Sequence, residues 1–191
     1  MTKLLVLLTL SAVAAFPVEL PRKSPEFIVK VLDKEGKHKD ESKDRLLSSF
    51  RGKVVVIEFF NPTCPHCQKT VAILQKLYKE LGPKGFQPLA IAAGEDHVPL
   101  IPKFIEQFAL TFPVGYTERE KAMPYLHISN MQSFMVPQTV FIDKQGIIRE
   151  QHVGGDLKDE EAETRKKILE LLTGIPVAPV KKAVAAVVTK K

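Results

Sequence analysis

Cys64 and Cys67 are the two cysteines of this 191-residue chain, and they stand three apart in the stretch EFFNPTCPHCQKT, residues 58–70. A pair at that spacing can be a reversible redox couple, half of a metal site, or a disulfide staple. As a staple it would close a tiny loop, which limits entropic stabilisation, and a chain of this length buries a core without crosslinks. A zinc site would want four ligands, yet beyond the two thiols there are His66 between them and the scattered His38, His97, His127 and His152. Haem attachment requires a histidine directly after the second cysteine, where Gln68 stands. Thiol–disulfide exchange fits best: Cys64 attacks a partner, Cys67 resolves the mixed disulfide, and neither a metal nor a cofactor is called for.

The neighbouring elements must position the pair. VVVIEFF, residues 54–60, is apolar on both faces except for Glu58, the pattern of a central strand covered on both sides. From Pro65 to Leu81, Cys67, Val71, Leu74, Tyr78 and Leu81 fall at steps of four and three, one face of a helix closed by Gly82 and Pro83. A strand running into a helix puts the loop between them at the carboxyl edge of the sheet. Pro65 suits the first helical position, which makes Cys64 the cap, its sulfur facing free backbone N–H groups, including those of His66 and Cys67, and the positive end of the helix dipole. Both features favour a thiolate nucleophile at Cys64. A protonated His66 would add to this, whereas a histidine merely exposed on the helix would do nothing. Cys67 lies one turn deeper on the buried face. Glu58, the single acid of its strand, is expected to be desolvated, with its pKa raised, and able to accept and return the proton of Cys67 through a water. The alternative is a glutamate facing outward near the strand end.

The rest of the chain supplies a frame for these elements. EFIVKVL (26–32) and FQPLAIAA (86–93) read as strands, and TFPVGY (111–116) as a short strand or extended link. A loop, GEDH, precedes a helix with Ile101, Phe104, Ile105 and Phe108 on its buried stripe and Pro99 and Pro102 in its entry or first turn. A short helix is expected near residues 121–126. QTVFI, the turn DKQG and IIREQHV form an antiparallel hairpin, and DEEAETRKKILELL a final helix whose first-turn acids match the helix dipole. The order predicts an α/β fold, a central mixed β-sheet flanked by helices on both faces.

The apolar run from Leu4 to Ala15 after Lys3 reads as a secretory signal peptide, residues 1–15. Residues 16–23 then read as a linker, 24–173 as the folded domain, and 174–191, rich in Pro, Ala, Val and Lys, as a flexible tail. The formal net charge of +6 owes most of its excess to Lys3 and to the tail lysines 181, 182, 190 and 191, so the body is nearly neutral. That excludes a basic stripe for nucleic acid on the fold itself.

FRGKVVVIEFFNPTCPHC, FPV at 112–114 and VPQTVFIDKQGIIREQHVGG at 136–155 together resemble the thioredoxin superfamily, specifically its exported TlpA/ResA-type thiol-disulfide oxidoreductases, a redoxin (AhpC/TSA-like) group. The resemblance implies a thioredoxin-like fold and a redox-active Cys64–Cys67 disulfide. It implies exported thiol or disulfide proteins or small thiols as partners, with a membrane electron donor or acceptor as a further candidate. It places the chain in a bacterial periplasm, either free or tethered by an uncleaved signal segment. Glu58, six residues before Cys64, matches the family's buried acid, and Pro137 the proline that is cis and faces the cysteines. General frequencies alone would make that bond trans. Val136 would present backbone groups to an extended substrate.

There are departures from the family. Its tryptophan before the first cysteine is Thr63 here. Pro65 and His66 of the CPHC motif, with Val136, resemble the oxidant DsbA, while the scaffold resembles reductases, so the direction of electron flow stays open. Glu95 lies near where such reductases keep a second acid, but reads as a solvated loop acid. Two other functions compete. A peroxiredoxin-like peroxidase would have a Thr or Ser and a Pro where Asn61 and Ile57 stand, and a copper or zinc carrier would use the same two thiols.

Overall fold

The computed structural model describes residues 19–32, 37–38, 44–129, 131–154 and 160–174. The expected signal peptide, residues 16–18 of the linker, and the tail after Gly174 lie outside the described residues.

β-branched and aromatic residues concentrate in the strands that become central. β1 (Arg22–Lys23), β2 (Ile28–Val31) and β3 (Arg45–Leu46) are peripheral, while β4 (Val54–Phe60) and β5 (Phe86–Ala93) are buried along their whole length. β6 (Val114–Thr117), β7 (Gln138–Ile142) and β8 (Ile147–Val153) complete one sheet in the order β1-β8-β7-β4-β5-β6-β2-β3. β4, β5 and β6 run parallel, and β7, β8 and β2 antiparallel to their neighbours, so the sheet is mixed.

Helices α1 (Pro65–Leu81), α2 (Ile101–Gln107) and α4 (Glu160–Thr173) pack on one face, and α3 (Arg119–Tyr125) with a 3₁₀ turn at Leu47–Phe50 on the other. The two cores follow the alternation of β4. Val54, Val56 and Phe60 join Val71, Leu74, Ile101, Phe104 and Ile168 on the α1 side, while Val55, Ile57 and Phe59 join Ala122, Tyr125 and Leu126 on the α3 side. Phe60 stacks on Phe104 with ring centroids 4.6 Å apart, fixing α2 beside the carboxyl end of β4.

Several details depart from the sequence expectation. The first long strand is Ile28–Val31 rather than 26–32, and it lies next to the sheet's edge, against β6. Gly115 on β6 permits that close approach, since a Cβ there would sit 2.3 Å from the Lys30 carbonyl oxygen. Residues 22–23, inside the segment read as a linker, pair with β8. The GEDH loop passes from Gly94 into a 3₁₀ turn, Glu95–Leu100, while the prolines lie as expected, Pro99 in that entry and Pro102 in the first turn of α2. α1 does end at Leu81 with Gly82 as its C-cap, but Gly82 keeps helical dihedrals and bonds back to Tyr78, so a 3₁₀ turn, Gly82–Lys84, follows before Gly85, with φ 100°, turns the chain away. No helix among the described residues is long and apolar enough to cross a membrane.

Candidate active site

The link from β4 to α1 is built by Asn61. Its side-chain oxygen accepts hydrogen bonds from the Thr63 N–H and Thr63 Oγ1, both at 2.9 Å, and its carbonyl accepts the Cys64 N–H at 3.0 Å. The chain therefore turns tightly and delivers Cys64, in an extended conformation, to the N-cap of α1 with Pro65 as the first helical residue. Gln68 closes the turn by donating to the Pro62 carbonyl at 2.9 Å.

The two thiols are both free. Cys64 is half-buried and makes no side-chain cap bond to the helix N–H groups; its sulfur lies 3.9 Å from the Val136 carbonyl oxygen instead. The N-cap position is the one expected from the sequence, and the thiol's hydrogen-bond acceptor is a carbonyl of the loop before β7. The Val136–Pro137 peptide is cis, and Pro137 is buried. That loop is fastened by Gln138 donating to the Met135 carbonyl at 3.0 Å and by the Gly154 N–H donating to the Pro137 carbonyl at 2.8 Å.

Cys67 is fully buried, one turn inside α1. Burial pushes its thiol well up, the backbone of Asn61 works against that, and the nearby Glu58 and Cys64 add to the rise. His66 and Pro65 are exposed, so the ring of His66 stands on the solvent side of the pair.

Glu58 is the centre of the electrostatics. By strand alternation it points to the α1 side, between Val56 and Phe60. It is fully buried, and neither carboxyl oxygen has a hydrogen-bond partner among the described residues. Burial first, then the charges of Glu160 and Cys64, hold its carboxyl far above the usual range. The outward-facing alternative for Glu58 therefore does not hold. Glu95 is exposed, as expected of a solvated loop acid, and acts electrostatically on Lys30.

Sequence reasoning missed one member of this neighbourhood. Glu160, read as a helix-dipole acid, is buried at the start of α4 and accepts a 2.6 Å hydrogen bond from Thr70 Oγ1 of α1, with Lys69 Nζ at 3.2 Å. The available signal was Thr70, a polar residue one helical turn after Cys67.

The AhpC/TSA family profile matches residues 22–151. A curated thiol-disulfide oxidoreductase ResA of Bacillus thuringiensis subsp. konkukian is 30% identical over 151 residues, covering 79% of each chain. Another ResA, from Bacillus thuringiensis strain Al Hakam, is 28% identical over 177 residues, 87% of this chain and 94% of that protein. Among solved structures, a putative thiol:disulfide interchange protein DsbE from Chlorobium tepidum superposes with a TM-score of 0.63 at 24% identity, covering 80% of this chain and 96% of that one. The chain thus belongs to the AhpC/TSA family, as a thioredoxin-like thiol-disulfide oxidoreductase of the TlpA/ResA type.

Proposed function

We propose that the chain exchanges disulfides with exported thiol or disulfide proteins, or with small thiols, through a reversible Cys64–Cys67 disulfide, with Glu58 carrying the proton of Cys67. The observation that carries this is the placement of a half-exposed thiol, a buried thiol and an unpartnered buried carboxyl around one helix N-terminus. In the reducing direction, the Cys64 thiolate attacks a partner disulfide, forming Cys64–S–S–partner and expelling one partner thiolate. Its negative charge is thereby lost, which removes one of the charges that keep Glu58 protonated. Glu58 can then ionise, its proton passing through solvent to the expelled partner thiolate, and take the proton of Cys67, which attacks the Cys64 sulfur and expels the second partner thiolate. The partner gains two electrons and the pair becomes a disulfide. In reverse, the same carboxyl returns the proton to Cys67 as it leaves.

The Val136 carbonyl beside Cys64 supports a mode in which an extended partner segment runs past Pro137 and pairs with the backbone there. Export rests on the apolar run Leu4–Ala15, and amino-terminal sequencing of the mature protein from its native compartment tests it by finding a new terminus near residue 16.

The cysteine roles are tested by trapping. Cys67→Ser should accumulate a stable mixed disulfide with partner proteins through Cys64, and Cys64→Ser should form none and lose exchange. A Cys64→Ser protein that still exchanges disulfides would refute the assignment. Equilibration of the pair against glutathione then fixes the direction: a potential near that of thioredoxin means a reductant, and one near that of DsbA an oxidant.

A further inference from the structure

The buried carboxyl of Glu58 has no hydrogen-bond partner at either oxygen among the described residues, although groups so placed are ordinarily bonded. The sheet limits what can serve it. On its own strand the residues that share its side are Val56 and Phe60. Its register partner on β5 is Ala90, and α2 brings Ile101 and Phe104 to the same core, so that flank is apolar. On β7 its register partner is Thr139. Residues directly opposite one another in an antiparallel pair project to the same face with Cβ atoms about 4.5–5.5 Å apart, within reach of a glutamate side chain. Phe141, two residues further along β7, belongs to the core on the α1 side, which places Thr139 on that side as well.

Thr139 differs from the rest of its strand: it is half-buried, while the other four residues of β7 are buried. Its hydroxyl makes no hydrogen bond with any described residue. A donor without a partner therefore stands opposite a carboxyl without a donor.

We propose that Thr139 is a positioning residue for the exchange centre: its hydroxyl turns to donate a hydrogen bond to the Glu58 carboxylate when that group gives up its proton, and returns to water when the proton comes back. For the part that proton plays in exchange, the inference rests on the assignment of Glu58 to Cys67 made above.

Both states are accounted for. While Glu58 is protonated, water serves the half-exposed hydroxyl, and leaving the two groups apart costs little. Once ionised, the carboxylate is stranded among apolar side chains unless a donor reaches it, and a hydroxyl makes a short, strong bond to a charged oxygen. The other polar groups that face Glu58 are poorly suited to this. α1 presents the thiols of Cys64 and Cys67, which are weak donors, and Glu160 of α4 is an acid already held by Thr70 and Lys69. Beyond Thr139 in the register row, His152 of β8 is bonded to Glu150, which also holds Lys167 of α4.

The test follows the Glu58 titration by carbon NMR in the full chain with carboxyl-labelled glutamate, with Glu58→Gln assigning the signal. Thr139→Val keeps the shape and strand preference of the side chain and strands no partner, so it spares the fold. It should raise the Glu58 midpoint by about one pH unit, roughly tenfold in proton affinity, because only the charged form loses a bond. Thr139→Ser keeps the hydroxyl and should leave the midpoint nearly where it was. The pH limb of the Cys67 resolving step should move up in Thr139→Val and stay in place in Thr139→Ser, and in a Glu58→Gln background Thr139→Val should move it no further. A midpoint unchanged or lowered in Thr139→Val overturns the inference. So does one raised equally by Thr139→Ser, since altered packing and not a lost hydroxyl would then be the cause. A midpoint that moves as expected while Glu58→Gln leaves the resolving profile untouched upholds the hydrogen bond and refutes the proton role of Glu58.

Discussion

Glu58 and Glu150 are both buried on the face of the sheet that carries α1 and α4, two strands apart, and the protein treats them in opposite ways. Burial works to raise the carboxyl of Glu150, but hydrogen bonds from His152 and Lys167 overcome it and hold the group below its ordinary range. Glu58 has no such partner, so burial goes unopposed and the charges of Glu160 and Cys64 reinforce it. A buried acid that serves the fold comes with its cation. One left unpaired costs stability whenever it ionises, and in this molecule it acts electrostatically on the buried thiol of Cys67.

The comparison is easiest to break through stability. Lys167→Met strips the nearer cation from Glu150 and should cost on the order of 2–3 kcal/mol, below the usual range for a broken buried pair because His152 remains. That corresponds to a fall in Tm of about 5–10 °C, with disulfide exchange unchanged in the folded protein.

Glu58→Gln should do the reverse and do so with a pH signature. The folded pKa of Glu58 is raised, so the folded state holds more protons than the unfolded state once pH exceeds the unfolded value. Stability is then lost as pH rises through that window toward the folded pKa, at up to about 1.4 kcal/mol per pH unit. Thermal melts across a pH series should therefore show the Tm of Glu58→Gln gaining on the unsubstituted protein as pH rises. A constant difference would mean that Glu58 is not held protonated.

Glu150→Gln should give the mirror image with a smaller amplitude, on the order of 1 kcal/mol. The depressed pKa of Glu150 contributes stability present above the unfolded value and lost as pH falls through the folded one, so the variant should converge on the unsubstituted protein in acid. The smallest effect is expected from Lys76→Ala, which removes a surface partner of Glu161 and should leave Tm and exchange unaltered.

Much of this site is legible in the residues because short-range physics decides it. The VVVIEFF run specifies a doubly covered strand, and its alternation sends Glu58 to the side of Val56 and Phe60. The spacing from Cys67 to Leu81 fixes which side of α1 is buried, and Pro65 fixes where the helix begins. What stayed hidden depends on contacts between distant segments. The two-residue strands β1 and β3 are too short to carry a period and exist because β8 and β2 offer open edges. The Thr70–Glu160 bond joins residues 90 positions apart, and the first-turn position of Glu160 already explained an acid there. The acceptor beside Cys64 belongs to Val136, 72 residues away, a partner that the local cap pattern could not reveal.

On the proposed mechanism, Glu58 carries the proton of Cys67 during exchange. Its most direct test is the single-turnover rate of the resolving step, starting from a glutathione mixed disulfide on Cys64, measured against pH in the unsubstituted protein and in Glu58→Gln. The rate should rise as Glu58 ionises in the unsubstituted protein, and Glu58→Gln should lose that limb and run about 10²-fold slower where Glu58 would be ionised. Superimposable profiles would contradict the account.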